Sequence, residues 1–301
     1  MCLGRELFIL RDLYAKRFVV ADIWIISDGK PGHINQSLGL VEALLEFKPN
    51  LTFKTLPLKG VSSELFATDR PKLIISAGRA THFWNWALTV RFGAKNVVLM
   101  RPSLPYSFFN FALVPEHDAP PASDRVVTTK GAINRMKPSN KQPESRLVLL
   151  GGPSKHVIWD DDRIIEQIDQ LTEPSIGLLN VATSRRTSSD LLQRLKSKTS
   201  IRLIEPDSVD SDWLPSTLAT TEQVIVSSDS VSMVYEALTA GCTVSLIRLE
   251  STTNSRTQQG IDSLVEQGLV GATADQKPAN PVSNFREATR CAEIILERAW
   301  L

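Results

Sequence analysis

The sequence predicts an α/β protein built from two nucleotide-fold domains that face each other. Three observations point there. Strand-like apolar runs alternate with helix-like segments almost throughout the 301 residues, the pattern of a largely parallel sheet covered by helices. The apolar run 23–26 feeds an amphipathic stretch at 38–45 through Ser27-Asp28-Gly29-Lys30-Pro31-Gly32-His33-Ile34-Asn35-Gln36, a loop with two glycines. A comparable loop, Gly151-Gly152-Pro153-Ser154-Lys155-His156, follows another apolar run in the second half.

In chain order, the first half predicts strands over 22–26, 52–56, 73–76, 97–100 and 112–114, with helices over 35–47 and 81–92. The stretch 130–145 is polar, carries Pro138 and Pro143, has no clear period, and reads as the interdomain linker. The second half predicts strands over 147–150, 176–181, 201–204, 224–227 and 244–247, with helices over 160–171, 188–196, 231–240 and 258–268. Ile164, Ile165, Ile168 and Leu171 mark one apolar face at helical spacing, as do Ala288, Cys291, Ala292, Ile295 and Ala299 in a closing helix over 285–299. Gly241 stands where a helix ends before a strand and suits a left-handed cap. The expected division is an extension over 1–18, an N-terminal domain over 19–140 and a C-terminal domain over 141–283. A closing helix over 284–301 can cross back to the first domain.

Composition narrows the function classes. Hydrophobic residues make up 42% and charged residues 22%, as in ordinary globular proteins. With 34 basic and 33 acidic side chains there is no electrostatic case for nucleic acid as a partner. Cys2, Cys242 and Cys291 are too scattered for a disulfide framework or a structural zinc site, which favours a reducing, cytoplasmic compartment. No apolar stretch is long enough for a transmembrane segment. Residues 1–17 have a short apolar run interrupted by acidic residues and no cleavage pattern, so they do not read as a signal peptide. They read as an extra surface helix, with peripheral contact to the inner membrane as the alternative.

Four loops carry the candidate chemistry. The plain reading of the first is a strand–helix connection that needs positive φ at Gly29 and Gly32, with Asn35 as helix N-cap. Five chemically able side chains gathered at the C-terminal edge of a sheet favour a ligand site instead, with His33, Asp28 and Lys30 as catalytic candidates. In the second loop Gly151, Gly152 and Ser154 would let main-chain amides approach a phosphate, with Lys155 and His156 beside it. The loop matches neither the Walker pattern nor the dinucleotide glycine spacing. The third, Thr183-Ser184-Arg185-Arg186-Thr187, suits phosphate oxygens through its two guanidinium groups; the alternative is a solvated helix start capped by Thr187 or Ser188. The fourth runs from Ser227 to Ala237. A helix starting near Val231 would aim free N–H groups at an anion, Asp229, Ser230 and Ser232 would line it, and Glu236 would project from the next turn. The alternative there is Ser230 as cap and Glu236 in solvent.

Lesser candidates are Ser76-Ala77-Gly78-Arg79 and His117-Asp118. His82 with Trp84 and Trp86 reads as a partly buried helix face, and Phe108, Phe109 and Phe111 read as core. No cluster has metal-site spacing, and no Gly-x-Ser-x-Gly elbow offers an acyl nucleophile.

Taken in order, Ser-Asp-Gly-Lys-x-Gly-His-x-Asn-Gln, Ser-Ala-Gly-Arg, Pro-x-His-Asp, Leu-Gly-Gly-Pro-Ser, Thr-Ser-Arg-Arg-Thr and Asp-Ser-Val-Ser-Met-Val-x-Glu-Ala resemble the family named for the plant mitochondrial-fission factor whose loss elongates mitochondria. The resemblance runs from about Asp22 to Cys291. It implies two Rossmann-like domains facing across a cleft, similar to GT-B glycosyltransferases. By that likeness Gly32 and His33 belong to the acceptor side. Gly152 and Ser154 would contact phosphate or base, Ser230 and Ser232 the diphosphate, and Glu236 the ribose. Lys155 with Arg185 or Arg186 would stabilise the leaving diphosphate.

The implied activity is metal-independent transfer from a nucleotide-diphosphate sugar to a cell-envelope or lipid-linked acceptor, with no cofactor beyond that donor. The alternatives are a non-catalytic recruitment protein on the same fold, or a sugar-nucleotide epimerase. Two departures from the family pattern stand out: Gly241-Cys242-Thr243 replaces a Gly-Lys-Pro turn, and Met100-Arg101-Pro102 replaces a more polar stretch.

Overall fold

In the computed structural model, the described residues are 21–155, 157–172, 177–252, 256–281 and 285–301; the extension, His156 and the start of the strand expected at 176 lie outside them. Two compact units result. The first takes the chain up to Leu113 with Ala122–Val127 and Cys291–Leu301; the second takes Val114–Pro121 and Thr128–Arg290.

The first sheet has six strands: β1 (Ile23–Ser27), β2 (Phe53–Pro57), β3 (Leu73–Ala77), β4 (Lys95–Leu99), β5 (Phe111–Pro115) and β6 (Val126–Thr129), in the order β2-β1-β3-β4-β5-β6. The pairings along β2-β1-β3-β4-β5 are parallel. Every residue of β1 and β3 is buried, which is why both read as continuous apolar runs rather than alternating ones. Helices α1 (Pro31–Phe47) and α2 (His82–Phe92) connect them. Trp24, Ile26, Ile74 and Leu88 share one core, and Lys54 lies 4.0 Å over the Trp24 ring.

The second unit is built around five parallel strands: β7 (Gln142–Leu149), β9 (Leu179–Ala182), β10 (Ile201–Ile204), β11 (Thr221–Ser227) and β12 (Thr243–Ile247). Their order is β10-β9-β7-β11-β12. A two-residue β8 (Val157–Ile158) pairs antiparallel with β13 (Glu250–Ser251) beside them. The helices are α3 (Asp161–Leu171), α4 (Ser189–Lys196), α5 (Trp213–Thr220), α6 (Val231–Thr239), α7 (Arg256–Glu266) and α8 (Glu287–Glu297), the last running on into the first unit. The strands divide their side chains by parity. Val148, Leu150, Val181 and Ile225 pack with Ile164, Ile168 and Leu191 on one face, while Leu147, Leu149, Val224 and Val226 pack with Val234, Leu238 and Ile261 on the other. The four apolar residues expected on the face of α3 are all buried.

Several expectations are corrected. Strand β7 begins at Gln142, inside the stretch read as linker, because its polar first half pairs with β11 and needs no apolar run. Helix α1 begins at Pro31, so Asn35 is not its N-cap; proline at the first position supplies the helical φ and lacks only an N–H that would be orphaned there anyway. Gly29 has φ +81°, whereas Gly32 is helical. Ala299 is exposed beyond the end of α8 rather than on its apolar face. Gly241 does adopt φ +78°, and Cys242 N–H closes back on Ala237 O at 3.0 Å as a helix stop. Among the described residues no helix is long and apolar enough to cross a membrane.

Candidate functional site

In an open parallel sheet, ligands settle beyond the C-terminal ends of the strands, where successive connections leave in opposite directions. That point lies between β1 and β3 in the first sheet and between β7 and β11 in the second. Three of the four loops singled out from the sequence follow β1, β7 and β11, and the remaining one, Thr183–Thr187, follows β9 next to β7.

In the first unit the loop after β1 folds back on itself. Gly29 N–H donates to Ser27 Oγ at 3.0 Å, and Lys30 N–H to Asp28 Oδ1 at 3.2 Å. One turn into α1, His33 Nδ1 lies 3.0 and 2.9 Å from the two oxygens of Asp28. A carboxylate only accepts, so Nδ1 is the donor to Asp28, and in the neutral form of the ring the lone pair falls on Nε2. The Asp28 side chain is 6% exposed and that of His33 is 28%, so the carboxylate is enclosed while the ring reaches solvent. Lys30 Nζ is 3.9 Å from Asp28 and mostly in water.

The loop after β3 forms the floor of this pair. A Cβ on Gly78, which has φ +94°, would stand 2.3 Å from His33 Nδ1 and 2.9 Å from Asp28 Oδ2. Only glycine permits both the backbone angle and the approach. Near it, His82 is buried and accepts the Ser103 N–H on Nδ1 at 3.0 Å. Burial, then the positive charge of His33 and of Arg79, hold its pKa down to about 4, so this ring is neutral.

In the second unit three loops are tied into one network. Gly151 N–H donates to Ser227 Oγ at 2.8 Å, and Gly152 N–H to Asp229 Oδ2 at 3.2 Å. Ser227 Oγ in turn donates to Asp229 Oδ1 at 2.6 Å. Arg186 binds Asp229 Oδ2 at 2.8 Å and Gly152 O at 3.0 Å. Ser184 and Thr187 hydroxyls both donate to Gly151 O, at 2.7 and 2.6 Å. Asp229 is enclosed, and its charge is matched by Arg186.

This network corrects the sequence expectations for Gly151, Gly152, Ser184, Arg186 and Asp229. The amides of Gly151 and Gly152 are bonded within the protein rather than offered to a phosphate. Arg186 and Asp229 neutralise each other. Ser184 holds a carbonyl. The glycines are required by packing: a Cβ at Gly151 would be 2.1 Å from Asp229, and one at Gly152 would be 2.2 Å from the Arg186 backbone. Ser188, one of the two alternatives, caps α4 through Leu191 N–H at 3.2 Å.

The remaining candidates surround the start of α6. Ser230 occupies its N-cap position but makes no side-chain capping bond, so the helix start is open on that account. Ser230 is buried and Ser232 exposed. Glu236, one turn beyond Ser232, is half-buried, and burial pushes its carboxyl up to about 7. No hydrogen bond to that carboxyl from the described residues is found. Arg185 is exposed, 3.9 Å from Asp207. Lys155 is exposed and its carbonyl accepts from Thr252 Oγ1 at 2.8 Å, while Ser154 bridges Val157. Among the described residues no group of three or more His, Cys, Asp or Glu side chains could hold a metal ion.

Sequence reasoning missed Ser227 as the hub of the second network, and placed Gly78 only among lesser candidates. The signal for Gly78 was its position directly after an apolar run. Ser227 gave no local signal, since its partner Gly151 is 76 residues away. His117 stacks on Tyr235 at 6.4 Å, against the helix that carries Glu236.

Comparison with known proteins agrees with this architecture. The uncharacterized protein RP120 of Rickettsia prowazekii is 23% identical over 350 residues, covering 91% of this chain and 97% of that one. Among solved structures, the candidate UDP-N-acetylglucosamine 2-epimerase of Listeria monocytogenes superposes with TM-score 0.56 at 14% identity, over 91% of this chain and 87% of that one. The S. aureus MnaA–UDP structure gives 0.51 at 14%, over 92% and 89%. The glycotransferase of kitacinnamycin gives 0.51 at 12%, over 92% and 98%. At such identities the likeness is one of fold, the GT-B type. The model of the family described as mitochondrial fission ELM1 matches residues 31–299, and the chain belongs to that family.

Proposed function

We propose that the chain is a glycosyltransferase that takes its sugar from a nucleotide diphosphate without a metal, and gives it to a cell-envelope or lipid-linked hydroxyl. The observation that carries this reading is the Asp28–His33 pair, an enclosed carboxylate that orients, through Nδ1, an imidazole whose ring reaches solvent. Such a pair is suited to removing a proton from an attacking hydroxyl.

In this reading the acceptor oxygen attacks the anomeric carbon as His33 Nε2 takes its proton. The bond from that carbon to the diphosphate oxygen breaks, and the nucleoside diphosphate leaves with the electron pair. The α6 start, Ser232, Lys155 and Arg185 meet its charge. Glu236 accepts from the ribose hydroxyls, a role that needs its ionised form. Gly151, Gly152, Ser184, Arg186 and Asp229 act by fixing the loops that present these groups.

Calorimetric titration with UDP-, GDP-, ADP- and CMP-linked sugars tests the reading. Saturable binding of one donor, retained in EDTA, is expected. Folded protein that binds none of them overturns it. Product analysis then separates transfer from epimerisation, and full cellular activity of His33→Ala would favour a recruitment role.

A further inference from the structure

Helix α2 buries His82, Asn85 and Leu88 and turns another face outward. On that face Phe83 is 53% and Val90 66% exposed, with Trp86 between them at the spacing of one helical stripe. The rings join into a continuous surface. Phe83 meets Trp84 at 5.3 Å and Trp86 at 6.1 Å, and Trp86 stacks on the exposed Phe108 at 5.2 Å. Arg91 Nε donates to Leu65 O at 2.9 Å, which brings the turn carrying Phe66, 86% exposed, to the end of the same helix. Contiguous apolar surface of this kind marks an interaction site rather than scattered surface residues.

The charge around it is one-sided. From Arg70 to Pro115 the sequence holds Arg70, Lys72, Arg79, Arg91, Lys95 and Arg101 and no Asp or Glu, a formal +6 in a chain of net +1. All six are exposed; Lys72 is engaged by Asp22 at 2.9 Å. The acidic residues just before this stretch, Glu64 and Asp69, are both held by Lys54. Ser103 bonds His82, so the loop carrying Arg101 is fixed against the start of α2, with Arg79 on the turn before it and Arg91 in its last turn. Aromatic rings that settle at headgroup depth, among arginines with no acidic neighbour in sequence, complement an anionic lipid surface.

We infer that the outer face of α2 docks peripherally on an anionic phospholipid bilayer. Phe83, Trp86, Val90 and Phe108 enter the interface, while Arg79, Arg91 and Arg101 meet lipid phosphates. None of these residues belongs to the proposed catalytic or donor groups, so the docking face is independent of the transferase reading.

The test is co-sedimentation of the full chain with vesicles of phosphatidylcholine alone and of phosphatidylcholine with phosphatidylglycerol, at low and high salt. Salt-sensitive binding to the anionic vesicles is expected. Phe83→Ser/Val90→Ser, and separately Arg79→Glu/Arg101→Glu, should each weaken it by about tenfold or more while circular dichroism is unchanged. Absence of binding, equal binding to neutral vesicles, or undiminished binding by both variants would overturn the proposal. So would sedimentation equilibrium in which the face pairs two copies of the chain and Phe83→Ser/Val90→Ser yields monomers.

Discussion

The loop after β1 and the loop after β7 occupy equivalent points in their sheets, and both hold two glycines beside a lysine and a histidine. Their partners differ. The first keeps one enclosed carboxylate, Asp28, aimed at one imidazole, and the far side of that ring stays open. The second has its amides and first carbonyl bonded to Ser227, Asp229, Ser184 and Thr187, so its polar groups are used to hold loops together. Similar glycine loops thus hold an accessible imidazole in one place and tie neighbouring loops together in another. What decides is the residue that reaches the loop from a neighbouring strand: a glycine, Gly78, under the first, and an aspartate, Asp229, against the second.

Replacement of His33 should show the largest effect. His33→Ala is expected to lower turnover by about 10²–10⁴-fold while thermal unfolding moves little, because the ring is accessible and Asp28 keeps the Lys30 N–H. In the second loop the same contrast should run through stability. Gly152→Ala sets a methyl against the Arg186 backbone, with an expected cost of about 3 kcal/mol in denaturant unfolding. Comparable turnover loss and intact stability in Gly152→Ala would erase the distinction between the loops.

Glu236 sharpens the comparison through pH. Its folded pKa, raised by burial to about 7, lies above the unfolded value. Between those values the folded state keeps a proton that the unfolded state has lost, so stability falls as pH rises through that window. A carboxylate that accepts from ribose should do the opposite for binding. Donor affinity should rise by about tenfold from pH 6 to pH 8, and Glu236→Gln should flatten the titration.

The smallest expected effect is a gain. Gly32 is helical, and nothing lies within 4 Å of the position an added methyl would take. Gly32→Ala should therefore stabilise the first unit by about 0.5–1 kcal/mol, read as a higher melting temperature.

Much of the fold is legible in the sequence because buried parallel strands announce themselves as apolar runs. Ile201–Ile204 and the apolar face of Asp161–Leu171 are read residue for residue. Strand β6 and helix α5 are not, since Val126–Thr129 is half polar and α5 is eight residues with an internal Pro215. The start of α1 is misplaced because Asn35 has the chemistry of a cap, while Pro31 has the backbone angle that wins.

For the site, the spacing of Asp28 and His33 puts them within one turn, so their pairing is accessible to inspection. The Asp229 contact to Gly152 spans 77 residues, and no local pattern reveals it. The availability of Glu236 follows from its place on the helix, but its raised pKa follows from packing that the sequence does not display.

The most direct measurement takes donor-sugar affinity and turnover on the same preparations of wild-type protein and His33→Ala. If His33 is the base, the Kd for the nucleotide sugar stays unchanged and kcat falls by about 100-fold or more. Unimpaired turnover by His33→Ala, or loss of donor binding with turnover per bound donor intact, would contradict that role.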